Sequence, residues 1–181
     1  MTLKRCHRKI IAIVSVMFIC SVSSVALAND ILQSPADFVN QSFGGQAPAP
    51  QVLWLTPERQ AEIQKIIGRK LGVLRMRYWG RDNKTVWILD EIGKVRPITT
   101  GIVVQADKIE QLKVLIYRES HGWEVQHDFF TKQFYGQRLT SRQQLSEKVD
   151  GISGATLSVN ALRRQARLAL FLHGHTPYGR K

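Results

Sequence analysis

Thiols are almost missing. Cys6 and Cys20 are the two cysteines among 181 residues, and both lie in the first segment. Without that segment the chain can form no disulfide, no thiolate metal site and no iron–sulfur centre. Redox chemistry would then have to come from a bound cofactor. Acids are scarce as well: 14 Asp+Glu stand against 26 Lys+Arg, a formal charge of +12. No His, Cys, Asp or Glu cluster has metal-ligand spacing, and local sequence shows no Ser–His–Asp nucleophile set. What remains is ordinary for a folded domain. Hydrophobic residues make up 44% and charged residues 22%, which excludes a wholly disordered chain and supplies a core.

The first 28 residues read as a leader. Lys4, Arg5, Arg8 and Lys9 form a basic start, Ile10 to Val25 is largely apolar, and Ala26-Leu27-Ala28 offers small residues where a signal peptidase reads. Cleavage is expected after Ala28. The competing reading is a retained anchor, since the apolar run almost suffices to span a bilayer. A lipid attached at Cys20 fits poorly, because bulky Ile19 stands where a small residue is wanted. Either way the domain is exported, to the periplasm or the extracytoplasmic face of the inner membrane. Removing four of the 26 basic residues leaves 22 against 14 acids, so the mature charge is +8. Export argues against nucleic acid as partner. Anionic lipid headgroups, an acidic protein or simple solubility remain open.

Residues 29–55 hold Gly44-Gly45 and Ala47-Pro48-Ala49-Pro50, a linker composition. Thr56-Pro57-Glu58 is a helix start, and Ile63, Ile66, Ile67, Leu71 and Leu74 continue at helical spacing. The helical unit is assigned 56–73, with the helix itself from about Pro57 to Leu71. Alternation from Leu74 to Trp79 and the apolar run Val86 to Leu89 predict two strands joined at Arg81-Asp82-Asn83. Ile92-Gly93-Lys94 is a second turn, and Ile98 to Gln105 and Leu112 to Arg118 predict two more strands, joined by the polar Ala106-Asp107-Lys108 region. An antiparallel meander of four or five strands follows. Phe129, Phe130 and Phe134 mark a short helix or turn. The last helix is predicted from Ala155 or Thr156 to about His173, with Leu162, Ala166, Ala169 and Leu170 on the inner face and Arg163, Arg164 and Arg167 on the outer. His173 and His175 read as surface residues. The order is α+β, an antiparallel sheet flanked by N- and C-terminal helices.

One segment carries chemistry: Asp150-Gly151-Ile152-Ser153-Gly154-Ala155-Thr156, immediately before the last helix. Ser153 is a suitable cap and Gly154 permits close backbone approach. The free N–H groups of the first turn favour a phosphate. The same composition also suits an ordinary helix start.

The pattern Asp150-x-x-Ser153-Gly154-Ala155-Thr156 resembles the flavinylation motif of the FMN-binding domain family, which includes subunits of sodium-translocating NADH:quinone reductase and ferredoxin:NAD oxidoreductase complexes. Val114 to Val125, with Glu119, His121, Gly122 and Trp123, is similar to the family's strand and glycine-containing turn. Phe130 to Gly136 is similar to its following short helix. The resemblance covers residues 74–174 as a single FMN-binding domain. It implies that Thr156 forms a phosphoester with FMN, and that a magnesium-dependent flavin transferase with FAD as donor attaches it as AMP leaves. It implies that Ser153, Gly154 and Ala155 shape the backbone around the phosphate. Asp150 would serve recognition by the transferase or a turn hydrogen bond. Near the ring it offers Trp123, His121, Glu119 and Arg118. Trp123 would stack on the flavin or cover the sheet, and His121 would more ordinarily bond its own turn.

The function this implies is an exported flavoprotein, a small stand-alone carrier relaying electrons between a membrane donor and an extracytoplasmic acceptor such as a cytochrome. Two other readings compete. One is a flavin-dependent reductase acting directly on a small acceptor. The other is a non-redox interaction module that keeps the motif only as a helix cap.

Overall fold

The computed structural model describes residues 30–179, so the expected leader lies outside the described residues. In chain order the elements are β1 (Asp30–Ile31), α1 (Pro35–Ser42), β2 (Gln51–Trp54), α2 (Pro57–Ile67), β3 (Arg75–Arg81), β4 (Lys84–Ile92), β5 (Pro97–Gln105), β6 (Lys108–Tyr117), α3 (Asp128–Thr131) and α4 (Thr156–Gly174). Short 3-10 turns cover Trp123–Gln126 and Lys132–Phe134. The strands form one sheet in the order β1-β6-β5-β4-β3-β2, antiparallel throughout. This is the expected α+β architecture.

The meander from β3 to β6 follows the expected turns. Asp82 (φ 54°) makes the β3–β4 turn, and Ala106 and Asp107 (φ 51° and 61°) make the β5–β6 turn. Two-residue hairpin loops need such left-handed positions to match strand twist. Two further strands extend the sheet. β2 pairs with β3 at one edge and the two-residue β1 pairs with β6 at the other.

The expected linker at residues 29–55 is corrected here, because its described part contains β1, α1 and β2. Ser34 caps α1 by accepting the Asp37 N–H at 3.1 Å, and Pro35 opens its first turn. Phe38 then packs over Gly101, where a Cβ would stand 2.5 Å from the ring. Phe38 and Val39 bury themselves against Val86, Val103 and Leu115, a small second core on the outer sheet face.

On the other face lie α2 and α4. Thr56 caps α2 as expected, with its hydroxyl accepting the Arg59 N–H at 3.4 Å. The helix stops four residues before Leu71, because Gly68 takes a left-handed cap at φ 78°. Leu162, Ala166, Ala169 and Leu170 are buried on the sheet as the period requires. Buried Gln165 adds two bonds, donating through Nε2 to the carbonyls of Leu89 and Ile98 at 2.9 Å each.

The arginines of α4 do not form an open outer face. Arg164 pairs with buried Glu91 at 3.0 Å, and Arg69 reaches the same carboxylate at 2.8 Å. Arg167 donates to the Ile66 carbonyl at 2.7 Å, and Arg163 donates to the Val149 carbonyl. These residues fasten α2, β4 and the 144–149 segment to the helix.

His173 departs from the surface position expected of it. It is fully buried, whereas His175 is exposed as expected. Trp87 Nε1 donates to Thr85 Oγ1 at 2.9 Å, so the threonine proton is free to go to His173 Nδ1 at 2.7 Å. That leaves the imidazole proton on Nε2, which faces Asp107 Oδ1 at 3.4 Å. Burial pushes the His173 pKa below its ordinary value, and Asp107 opposes the shift.

Two outcomes are expected. Phe38→Ala should lose about 3–5 kcal/mol in a denaturant titration, because it empties the outer core. The His173 contribution should be complete above pH ~6.5, the value for an unfolded histidine. It should decline as pH falls from there toward the lower folded value, because only the unfolded chain then takes the proton. Melting temperature followed from pH 8 to pH 5 should show that decline, and His173→Gln should flatten it.

Candidate functional site

The mouth of α4 is built from three segments. The first is the helix itself, whose 19 residues start at Thr156. Ala155, not Ser153, is the N-cap, and no side chain bonds the first turn. Ser153 as cap is therefore corrected: it sits exposed in the turn ahead of the helix. Gly154 has φ 82°, and the Ala155 N–H turns back to the Ile152 carbonyl at 3.0 Å. The chain enters the helix too late for a serine two residues upstream to reach its N–H groups. The N–H groups of Thr156, Leu157 and Ser158 are those a helix leaves without intrahelical acceptors. They form a positive dipole end that takes an anion. Thr156 is exposed at that end, and the space where a Gly154 Cβ would stand is open.

The second segment leads into the helix. Val149 is buried and Ile152 packs against the core, so residues 149–152 are pinned from below. Gln133 Oε1 accepts the Asp150 N–H at 2.7 Å. Gln137 organises the stretch before it. Its Oε1 accepts from Ser146 Oγ at 3.0 Å and from the Glu147 N–H at 2.9 Å. The Asp150 side chain itself is exposed.

The third segment follows β6. Gly122 lies at φ 82°, which disfavours a side chain on conformational grounds. A Cβ there would also stand 3.0 Å from Ser158 Oγ and 3.2 Å from both Ala155 Cβ and Tyr117 Oη. Tyr117 Oη donates to the His121 carbonyl at 2.6 Å. Its one proton is thereby used, so Ser158 Oγ donates to Tyr117 Oη across 3.2 Å. The turn and the helix mouth are thus locked together. Burial raises the Tyr117 pKa and keeps the phenol neutral.

The residues expected near a ring divide into two groups. Trp123 leaves directly from the locked Gly122 and is 51% exposed, so it does not cover the sheet. Its ring meets His127 edge-on at 5.0 Å, and His127 stacks on exposed Phe129 at 6.1 Å. His121 is exposed, with Nδ1 2.8 Å from Ser120 Oγ, a bond within its own turn. Glu119 turns elsewhere. Its Oε1 accepts from the N–H groups of Lys94, Val95 and Arg96 at 2.5, 2.7 and 2.9 Å and so closes the β4–β5 loop. Burial would raise its pKa, but those bonds and Arg96 outweigh burial and hold it below the usual value. Arg118 likewise faces the sheet, donating to the Pro97 carbonyl and Thr99 Oγ1 at 3.0 and 2.8 Å. Tyr117, Ser158, Gln133 and Gln137 were missed, since no local motif marks a residue that acts by tying two distant segments.

The fold and site define an α+β domain whose last helix opens, uncapped, on an exposed threonine and a neighbouring aromatic turn. Residues 93–170 match the family model of the FMN-binding domain, and the chain carries one such domain. The match runs from the β4–β5 loop nearly to the end of α4 and includes the whole Asp150–Thr156 motif. No curated protein matches the chain. The uncapped first turn, the open space at Gly154 and the exposed hydroxyl suit a phosphate-bearing flavin. Among the described residues no group of three or more His, Cys, Asp and Glu could hold a metal ion, and no helix is long and apolar enough to cross a membrane.

Gly122→Ala is expected to lower stability by roughly 1–3 kcal/mol in chemical denaturation, from left-handed strain and crowding of Ser158.

Proposed function

We propose that Thr156 carries FMN as a phosphoester and that the protein relays electrons through it. The FMN-binding domain supplies the cofactor class, and flavin chemistry accommodates electrons singly or in pairs. The observation that carries the attachment reading is the α4 mouth: an exposed hydroxyl at a 19-residue helix whose first turn no side chain caps. Thr156 Oγ1 would form the new bond to the flavin-side phosphorus of FAD, give up its proton and displace AMP. The diester so formed keeps one negative charge, which the N–H groups of the first turn and the helix dipole stabilise. Asp150 lies exposed one turn of chain away, in reach of an attaching enzyme that uses magnesium.

Trp123 supplies a half-exposed aromatic face beside the mouth. Exposed Phe129 and Leu157 extend that apolar rim. A relay needs such an accessible edge, because its partners must approach closely and leave. The readings of export, of a membrane-bound donor and of a cytochrome-type acceptor stand with this proposal. They are supported by the leader pattern and the basic mature chain.

The test is covalent labelling. Protein co-expressed with a flavin transferase should keep yellow fluorescence through a denaturing gel and gain the mass of FMN less water. Thr156→Ala should abolish both, and Thr156→Ser should retain them. A labelled Thr156→Ala protein would remove the site assignment.

A further inference from the structure

A cavity lies on the side of α4 opposite Ser158 and the Gly122 lock. It has a volume of about 690 Å³ and runs between the end of α2, the 144–149 segment and α4. Small-molecule sites fall between about 300 and 1,000 Å³. Its lining contains five cations, Lys65, Lys148, Arg163, Arg164 and Arg167, against one carboxylate, Glu147. Half-buried Leu145 contributes apolar surface above the buried Ile66, Ile67 and Val149.

The charges are unevenly matched. Arg164 has Glu91 and Lys65 has Glu62, at 3.0 and 2.7 Å. Among the described residues no carboxylate lies within ion-pair distance of Arg163 or Arg167. Both are held by neutral acceptors: Arg163 by Asn160 Oδ1 and the Val149 carbonyl, Arg167 by Gln144 Oε1 and the Ile66 carbonyl. Arg167 Nε is buried with no acceptor at all. Burial, and then the nearby Arg164, disfavour the charge on Arg167. Half-buried guanidinium groups fixed in place but not neutralised are the recognition chemistry for a carboxylate, sulfonate or phosphate.

We propose that this cleft binds a small organic anion with a flat apolar body. The anionic group sits on Arg163 and Arg167, and the body lies against the half-buried Leu145. Lys148, exposed at the rim, adds attraction. The inference does not depend on the flavin reading. It is a separate site, although Thr156, Asn160, Arg163 and Arg167 share one helical stripe.

The probe is 8-anilinonaphthalene-1-sulfonate, titrated calorimetrically into full-length flavinylated protein and into Thr156→Ala. One molecule should bind to each protein with equal affinity. Lys148→Glu, on an exposed side chain, should weaken binding by about fivefold, and Arg167→Met by about tenfold or more, as for loss of a charge-assisted bond. Uncharged N-phenyl-1-naphthylamine should bind far more weakly than the sulfonate. The proposal is overturned if wild-type protein binds nothing, or if Lys148→Glu binds unchanged. It is equally overturned if the neutral amine binds as tightly, which would indicate only an apolar patch. Binding confined to Thr156→Ala would also sink it, because the flavin itself would then fill the cleft. Labelling at Thr156 is read by mass, so failure of the attachment reading is seen separately.

Discussion

The contact between Gly122 and the first turn of α4 is the constraint on which the site depends. The turn after a strand and a helix start, more than thirty residues apart in sequence, meet so closely that a Cβ on Gly122 would stand 3.0 Å from Ser158 Oγ. Ser158 and Tyr117 convert that contact into a directed chain of hydrogen bonds ending on the His121 carbonyl. A phosphate held by backbone N–H groups needs those groups fixed before it arrives, since ordering them at the moment of binding would cost conformational entropy. The lock provides that order. Trp123 follows directly, as the first residue of a 3-10 turn, and stays half exposed.

Around this lock the protein spends charged residues on architecture. Arg163, Arg164 and Arg167 join α4 to α2, β4 and the 144–149 segment, and Glu119 closes the β4–β5 loop. Buried Glu91 is balanced by two arginines. A buried pair loses several kcal/mol if one partner is removed, though it adds less when intact. The positive face expected of α4 is therefore mostly fastened inward. What is left over, the pair Arg163 and Arg167 held only by neutral acceptors, gives the cleft beside α4 its positive charge.

Several local signals in the sequence carried through to the structure, although Ser153 did not become the cap of α4. The Thr56-Pro57 start, the turns at Asp82-Asn83 and Ala106-Asp107, the inner stripe of α4 and the exposed Thr156 all follow from short-range chemistry. Composition misled at residues 30–55. Glycines and prolines suggested a linker, yet Ser34-Pro35-Ala36-Asp37 is the same kind of helix start as Thr56-Pro57, and Phe38 has a core of its own to enter. Periodicity alone could not end α2 at Gly68, since Leu71 continued the pattern beyond the left-handed cap.

By itself the chain's order of residues determined the α+β class, the helix mouth and the hydroxyl at its tip, because capping, alternation and helical period act within a few residues. Only the tertiary structure decided which candidates share a site. Glu119 and Arg118 are one and two residues from the turn that carries Trp123, yet their side chains face the β4–β5 loop and β5. His173 is polar and near the C-terminus, but Thr85 and Trp87, some ninety residues earlier, hold it in the core. The physical reason is the same in each case. A side chain's partner is set by which strands and helices pack against it, and that packing joins residues that sequence spacing does not relate.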